Sequence, residues 1–287
     1  PDNQYCIEPG KHGNMEMWCP KNSDGKYSGE NMTLKSALAN SVNTITAQLI
    51  DQVGPGSVVS IAKNMGITKE ILPVPSIALG TMDLGVYDMV GAYGTFANQG
   101  VYVKPVMVTR IEDKNGTVLY EYTPETKDVL SKEVAYAMIN LLEGVTQYGS
   151  GGRLRHTGAK DQTVYKEIIT GYPYELNNPI AGKTGTTQNQ SDGWFMGMVP
   201  NLVTGVWVGG EERSIHFSGL AYGQGASMAL PIWALYMKKN YANEDLGVSK
   251  EEFEAPEDMT INVDCSKEAQ ESQDDLDTED DLDDLDF

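Results

Sequence analysis

The sequence lacks a long apolar run and carries little positive charge. No stretch of about 18 apolar residues occurs among its 287 residues, and no signal-peptide pattern opens the chain, so these residues supply neither a membrane span nor an export signal. The first residue is Pro rather than Met, so an anchor in a preceding segment stays open. Lys and Arg number 21 against 41 Asp and Glu, which argues against nucleic-acid binding through a basic patch.

Cysteine and histidine are also scarce, with three of each. The cysteines are too few for a disulfide framework and lack the spacing of metal ligands, so we expect neither a metal nor a cofactor. Cys6 and Cys19 flank a loop-like stretch and either pair outside the cytoplasm or remain thiols; the sequence leaves both open. No histidine is placed for a Ser-His-Asp triad, so each is expected at the surface. The remaining cysteine is Cys265, and the histidines are His12, His156 and His216.

The acidic charge is concentrated at the C-terminal end. Residues 251 to 287 hold seventeen Asp and Glu against the single Lys267, which leaves residues 1 to 250 near −4 of the total −20. We predict a folded domain over residues 1 to 249 and an acidic, disordered tail over residues 250 to 287. Its Leu and Phe side chains leave open a partner-binding role.

Apolar periodicity predicts several helices. Between Leu34 and Val53 apolar residues recur every three and four positions, so a helix should begin near Thr33 and stop at the glycines flanking Pro55. Poor helix formers around Ser41 make a break there plausible. Further helical patterns cover residues 58–64, 77–98, 131–145 and 227–240.

Strand patterns occupy the stretches between these helices. Residues 101–110 and 118–122 flank an Asn-Gly turn and predict a hairpin, and residues 149–152 read as a flexible glycine loop. Residues 180–187, 193–199 and 202–209 predict three antiparallel strands, with Lys183 on the first. Trp194 and Trp207 on the other two are expected to pack in the core rather than form a sugar platform. An antiparallel sheet packed with helices is an α+β fold.

The first of these strands carries the clearest chemical signal. Lys183 is followed by Gly185, which lets another backbone approach, and by the hydroxyls of Thr184, Thr186 and Thr187, which can donate hydrogen bonds to a carboxylate. The exposed edge of such a strand can pair with an extended peptide. The alternative is a solvated strand with no ligand.

The second signal is Ser41-Val42-Asn43. Neither Ser-x-Asn nor Lys-Thr-Gly is decisive alone. Serine acyltransferases that use both place Ser-x-x-Lys first, Ser-x-Asn second and Lys-Thr-Gly third, and the last two occur here in that order.

Longer segments carry the same pattern. Over about residues 1 to 241 the chain resembles the transpeptidase domain of class A, bifunctional penicillin-binding proteins. That resemblance implies a penicillin-binding and serine β-lactamase-like fold, incomplete at its N-terminus. The matching segments are Trp18-Cys19-Pro20-Lys21-Asn22, Gly29, residues 33–43, Ala92-Tyr93-Gly94-Thr95-Phe96-Ala97-Asn98-Gln99-Gly100, Asp192-Gly193-Trp194-Phe195 and Pro231-Ile232-Trp233.

The resemblance also implies roles for the site residues. Ser41 would take part in proton transfer during acylation, and Asn43 would hold the substrate amide and the lysine of the first motif. Lys183 would face them from the sheet. Thr184 and Thr186 would grip the terminal carboxylate, and the Thr186 N–H would form half of an oxyanion hole, a donor worth about 3 kcal/mol of barrier.

The nucleophile departs from the pattern. Ser60-Ile61-Ala62-Lys63 fits Ser-x-x-Lys but follows the Ser-x-Asn motif and lies in what reads as a packing helix. We expect the reacting serine and its lysine upstream of Pro1, so these 287 residues alone should be inactive.

The function implied is that of a D,D-transpeptidase at the extracytoplasmic face of a bacterial membrane. Its partners would be peptidoglycan stem peptides ending in D-Ala-D-Ala, and β-lactams, with a membrane anchor and a glycosyltransferase domain upstream. A D,D-carboxypeptidase, a penicillin sensor or a non-catalytic wall-peptide-binding domain remain alternatives. A β-lactamase is less favoured, because no Glu-x-x-Leu-Asn element lies between the second and third motifs.

Overall fold

The structure is a computed structural model that describes residues 1–157 and 171–264. Helices pack against a three-stranded antiparallel sheet, which confirms the α+β prediction. The helices are α1 (Leu34–Ala39), α2 (Asn43–Val53), α3 (Pro55–Asn64), α4 (Val86–Ala97), α5 (Lys132–Gln147), α6 (Leu220–Gly223) and α7 (Gly225–Tyr241).

The predicted break near Ser41 is confirmed. Thr33 begins α1 by accepting a hydrogen bond from the Ser36 N–H at 3.2 Å, and α1 ends at Ala39. Helix α2 starts at Asn43, so Ser41 lies in the connection between two helices rather than within one. Two short helices replace one long one because residues 40 to 42 leave helical geometry.

The helix predicted over residues 77–98 is shorter than expected. A 3₁₀ turn covers Pro75–Leu79, and Gly80 ends it with a left-handed backbone. Helix α4 begins only at Val86, after Gly85 in an extended conformation. Gly80 and Gly85 therefore lie between two separate elements, where the sequence predicted one continuous helix.

The three-stranded sheet follows the prediction closely. Strands β5 (Ala181–Thr186), β6 (Asp192–Val199) and β7 (Leu202–Gly209) are antiparallel in that order, so β5 lies at one edge of the sheet among the described residues. On one face Phe195 packs edge-on to Trp233 of α7, with ring centroids 5.2 Å apart. A Cβ on Gly197 would lie 2.5 Å from the Trp233 ring, so only glycine lets α7 approach this closely.

The predicted hairpin over residues 101–122 is only partly correct. Strands β2 (Arg110–Glu112) and β3 (Val118–Glu121) pair across the Asn-Gly turn. Strand β1 (Val101–Val103) ends before Pro105 and pairs instead with β4 (Thr126–Asp128). Proline has no N–H to contribute to a ladder, which explains why one predicted strand becomes two.

The N-terminal segment packs as an irregular layer on α2. Cys6 and Cys19 form a disulfide, which settles the alternative that the sequence left open. Ile7 is buried in a cluster with Ile50 of α2. These residues are therefore fixed to α2, the helix that begins with Asn43 of the Ser-x-Asn motif.

The prediction of disorder from residue 250 is wrong for residues 250–264. Phe253 is 8% exposed and packs with Ile139, Leu142 and Ala181. Glu133 accepts a hydrogen bond from the Thr260 N–H at 2.8 Å. One buried aromatic ring and these polar contacts hold a stretch that its composition made look unfolded. Cys265 and the rest of the predicted tail lie outside the described residues.

Within the described residues, no helix combines the length and the apolar character needed to cross a bilayer.

Candidate active site

The structure brings the Ser-x-Asn and Lys-Thr-Gly motifs together. The Nζ of Lys183, on β5, donates a hydrogen bond to the Oγ of Ser41 at 2.9 Å, across 142 positions of sequence. We call Ser41 and Asn43 the helical wall of the site, and Lys183, Thr184 and Thr186 the sheet wall. The cleft between them is the candidate active site.

Ser41 holds an unusual backbone conformation. Its φ is 56°, in the left-handed region, which costs a non-glycine residue about 1–2 kcal/mol. Its N–H donates to the Leu38 carbonyl at 3.1 Å, and the Val42 N–H donates to the Ala37 carbonyl at 2.9 Å. Backbones held in such conformations cluster at functional sites. Here the turn aims the Ser41 hydroxyl at Lys183.

Lys183 is a half-buried cation. Its Nζ also donates to the Thr184 carbonyl at 2.9 Å, and no carboxylate in the described ranges forms an ion pair with it. Burial lowers the pKa of Lys183 to about 8. The ammonium is still charged at neutral pH, so it favours an anionic ligand.

Asn43 is the first residue of α2. Its side-chain Nδ2 donates to the Lys21 carbonyl at 2.7 Å. The amide is thus held by the loop that contains Pro20-Lys21-Asn22, one of the segments that resemble the family.

The threonines of β5 differ in what their hydroxyls contact. Thr184 Oγ1 shares a hydrogen bond of 2.6 Å with Ser150 Oγ, and Thr186 Oγ1 accepts from the Gly225 N–H at 2.9 Å. The Thr186 hydroxyl hydrogen therefore remains available to a ligand. Thr187 is used within its own turn, where it accepts from the Asp192 N–H at 2.9 Å. Thr187 Oγ1 also contacts Ser191 Oγ at 2.9 Å and donates to Asp192 Oδ2 at 3.3 Å, so its hydrogen is used within the turn, unlike that of Thr186. The ligand role of Thr187 stays a prediction.

Ser150 was missed by sequence reasoning, which treated residues 149–152 as a flexible loop. The Ser150 N–H donates to the Ala39 carbonyl at 2.9 Å, and a Cβ on Gly149 would lie 2.2 Å from that same oxygen. The loop is therefore packed between the end of α1 and β5. The signal that could have found it is a lone hydroxyl among glycines, a composition that suits close backbone packing as well as flexibility.

The start of α7 closes the far end of the sheet wall. A Cβ on Gly225 would lie 2.2 Å from the Gly185 carbonyl, so the helix begins against β5. Arg153 donates to the Ala226 carbonyl at 3.1 Å and to Ser227 Oγ at 2.8 Å. The sequence predicted that Gly185 lets another backbone approach the strand. In the structure, the start of α7 in this same chain is a backbone that makes such an approach.

Two Ser-x-x-Lys tetrapeptides lie outside the site. Ser60 and Lys63 are exposed on α3. The second, Ser23-Asp24-Gly25-Lys26, forms an exposed turn, whereas a reacting Ser-Lys pair three positions apart needs one helix face.

The histidines and tryptophans are likewise not at the reacting groups. His12 contacts Asp51 at 2.9 Å and His156 contacts Tyr172, while His216 is exposed. Trp207 is 41% exposed, so the prediction that it packs in the core is wrong; its Nε1 donates to Asp192 at 3.0 Å.

Comparison with a family model identifies the family of this chain. The model described as "Penicillin binding protein transpeptidase domain" matches residues 1–212. The chain is a member of the penicillin-binding protein transpeptidase family. The match includes both the Ser-x-Asn and the Lys-Thr-Gly motifs.

Curated relatives agree. Penicillin-binding protein 1A of Aquifex aeolicus is 37% identical over 254 residues, which are 86% of this chain and 30% of that protein. Penicillin-binding protein 2D of Bacillus subtilis is 32% identical over 223 residues, 78% of this chain and 30% of that protein. The chain therefore spans about a third or less of the curated relatives it matches.

Solved structures share the fold. Penicillin-binding protein 1A of Haemophilus influenzae has a TM-score of 0.69 at 22% identity, covering 89% of this chain and 40% of that one. PonA1 of Mycobacterium tuberculosis, solved in complex with penicillin V, has a TM-score of 0.65 at 26% identity, covering 84% of this chain and 63% of that one.

Proposed function

We propose that the full-length protein is a serine-type peptidoglycan D,D-transpeptidase that cross-links stem peptides and is acylated by β-lactams. The observation that carries the proposal is the 2.9 Å contact between Lys183 and Ser41, which joins two motifs of this family in one cleft. The complex of PonA1 with penicillin V supports β-lactams as ligands.

The sheet wall would bind the terminal carboxylate of the donor peptide. Lys183 supplies a cation without a carboxylate partner in the described ranges, and Thr186 has a hydroxyl hydrogen to donate. Thr184 would add a second hydroxyl, held by Ser150. A charged hydrogen bond of this kind is about twice as strong as a neutral one, which favours ligands ending in a carboxylate.

The helical wall would handle the proton. Acylation forms a bond from a serine oxygen to the penultimate D-Ala carbonyl and breaks the C–N bond to the terminal D-Ala, whose nitrogen must gain a proton. Lys183 donates to a lone pair of Ser41 Oγ and so leaves the Ser41 hydrogen free to point into the cleft. Ser41 can therefore pass its proton to the leaving nitrogen and recover one from the attacking serine.

The attacking serine is proposed to lie outside residues 1–287, in a Ser-x-x-Lys motif on a helix that completes the cleft. Asn43 would hold that lysine and the substrate amide. The Thr186 N–H would be one of two donors to the tetrahedral oxyanion. Residues 1–287 alone would then take no acyl group.

The whole protein is proposed to be a bifunctional glycosyltransferase and transpeptidase, anchored at the extracytoplasmic face of the membrane. The names of its relatives and the small share of their length that this chain spans support this. The Cys6–Cys19 disulfide fits an oxidising compartment.

Labelling with a fluorescent penicillin tests the proposal. The full-length protein should carry one covalent label, mapped by peptide mass spectrometry to a serine of a Ser-x-x-Lys outside residues 1–287. A label on Ser60 or Ser23, or no label at all, would contradict it. Rapid loss of the label would indicate a β-lactamase, and a stable label without cross-linked product from stem peptides would indicate a sensor.

Product analysis with stem peptides separates the finer alternatives. A transpeptidase joins the donor to an amine acceptor, whereas a carboxypeptidase releases D-Ala to water. We expect cross-linked dimer as the main product.

A further inference from the structure

Helix α2 begins without a cap of its own. Val42 precedes it and has no side-chain acceptor for the free N–H groups of the first turn. The acceptor comes from another segment, because the Thr44 N–H donates to Asn22 Oδ1 at 3.3 Å. The start of the helix that carries Asn43 is therefore held from 22 positions away.

Asn22 is in turn held by a buried carboxylate. Asp2 Oδ1 accepts from Asn22 Nδ2 at 2.8 Å and from Thr44 Oγ1 at 2.6 Å, and Asp2 Oδ2 accepts from the Ser28 N–H at 2.8 Å. Asp2 is 5% exposed and Thr44 is 0% exposed. A charge buried to this degree is costly unless it is hydrogen-bonded, and here both carboxylate oxygens accept hydrogen bonds.

The carboxylate also keeps its charge. Burial alone would raise the pKa of Asp2, but the donors from Thr44, Ser28 and Asn22 outweigh it and lower the pKa to about 2. A negative charge beside the first turn of α2 is favourable for the helix dipole.

The network reaches the candidate site through one peptide group. Lys21 precedes Asn22, and its carbonyl accepts the hydrogen bond from Asn43 Nδ2 at 2.7 Å. A carbonyl can only accept, so Asn43 turns its NH₂ group to Lys21 and keeps Oδ1 as an acceptor for the cleft.

We infer that Asp2 is a positioning residue of the active site: through Asn22 and Lys21 it fixes the orientation of the Asn43 amide. Asp2 does not reach the cleft itself. The inference rests on the proposed function, because it assigns Asp2 an effect on acyl transfer.

The substitution Asp2→Asn in the full-length protein tests this. Asn keeps one oxygen and replaces the other by an NH₂ group, which then faces either the two donors at Oδ1, Asn22 and Thr44, or the Ser28 N–H at Oδ2. The second-order rate of acylation by a fluorescent penicillin should therefore fall by about tenfold or more. In an Asn43→Ala background the same substitution should cost no more than about twofold, because the side chain it positions is already gone. Equal losses with and without Asn43 would overturn the inference.

Asp51 provides a matched control on the same helix. Its side chain is 7% exposed and contacts three groups of the N-terminal segment, Tyr5, Lys11 and His12, but it lies near the C-terminal end of α2. Asp51→Asn should lower thermal stability about as much as Asp2→Asn and leave the acylation rate of the folded protein unchanged. A similar loss of rate in both variants would reduce Asp2 to a general stabiliser and overturn the inference.

Hydrogen exchange gives a readout that needs no activity. In Asp2→Asn, peptides covering residues 40–46 should exchange faster, since the Thr44 N–H loses its held acceptor, while Asp51→Asn should affect the end of α2. Unchanged exchange at residues 40–46 would refute the hold on α2. If the unsubstituted protein takes no label, the proposed function fails, and exchange alone then decides whether Asp2 holds the helix.

Discussion

The two walls of the candidate site are held by different kinds of contact. The sheet wall rests on regular pairing of β5 with β6, from Ala181 opposite Met198 to Thr186 opposite Gly193. The helical wall depends on the left-handed backbone of Ser41 and on the hydrogen bond from the Asn43 side-chain amide to the Lys21 carbonyl, 22 positions away. Regular backbone pairing makes the sheet wall tolerant of side-chain changes, whereas the helical wall depends on individual polar groups. The predictions below separate these two kinds of dependence.

The largest effect is expected for Lys183→Met. It removes the only charge of the sheet wall while β5 keeps its pairing, so acylation should fall by about 10²- to 10³-fold with little loss of stability. The rate is measured with a fluorescent penicillin on the full-length protein, and stability by thermal unfolding. Lys239→Met, on the exposed side of α7, is the matched control and should be silent. An unchanged rate for Lys183→Met would contradict the site.

Substitutions of Ser41 should distinguish the effect of its hydroxyl on acylation from the effect of its left-handed backbone on stability. Ser41→Ala and Ser41→Gly both lose the hydroxyl, so each should lower acylation by about 10²-fold. Glycine accepts the left-handed backbone, so Ser41→Gly should be about 1 kcal/mol more stable than Ser41→Ala in urea unfolding. Equal stability of the two variants would mean that Ser41 stores no strain.

The pH dependence of acylation should report the charge state of Lys183 in the sheet wall. Burial lowers the pKa of Lys183 to about 8, so the ammonium is lost as pH rises through that value, and acylation by an anionic β-lactam should then fall towards about tenfold per pH unit. Between about pH 8 and 10.5 the unfolded chain keeps a proton that the folded protein has lost, so the contribution of Lys183 to stability rises with pH. Lys183→Met should lack both trends, and a rate that stays flat from pH 7 to 10 would argue against the charged form.

A smaller effect is expected at Ser150, which connects the end of α1 to Thr184 of the sheet wall. Ser150→Ala frees the Thr184 hydroxyl, so loss of a neutral hydrogen bond of about 1 kcal/mol should slow acylation about fivefold. Ser150→Thr keeps the hydroxyl and should retain most of the rate. Ser60→Ala, exposed on α3, is the control. Equal losses for Ser150→Ala and Ser150→Thr would point to packing rather than to the hydroxyl.

The smallest effect on rate is expected at Thr187. Its hydroxyl bonds within the turn between β5 and β6, so Thr187→Val should cost about 1 kcal/mol of stability and change acylation by less than about threefold. A loss comparable to that of Lys183→Met would support ligand binding by Thr187.

The sheet wall was predictable because its strands are specified by residues that are close together in the sequence. Three strand-like runs with short connections and a Lys-Thr-Gly on the first are enough to place Lys183 on an edge strand. Periodicity and turn residues report such features directly. The break before Asn43 was also predicted, since poor helix formers stand together there.

The supports of the helical wall were not predictable in the same way. The contact of Asp2 with Thr44 joins residues 42 positions apart, and nothing in either residue type announces it. Ser150 was hidden for another reason, because glycines suit both loose loops and close backbone packing. The meeting of Ser41 and Lys183 itself came only from family resemblance until the structure gave their distance.

The position of Phe253 changes where the folded part of the chain ends. The family model stops at residue 212, and composition suggested an end at residue 249, yet this ring is buried against α5 and β5. A shortened protein that stops at residue 249 would lose a core side chain behind the strand that carries Lys183. One that stops at residue 264 would keep this side chain and still remove eleven of the seventeen acidic residues of the segment 251–287.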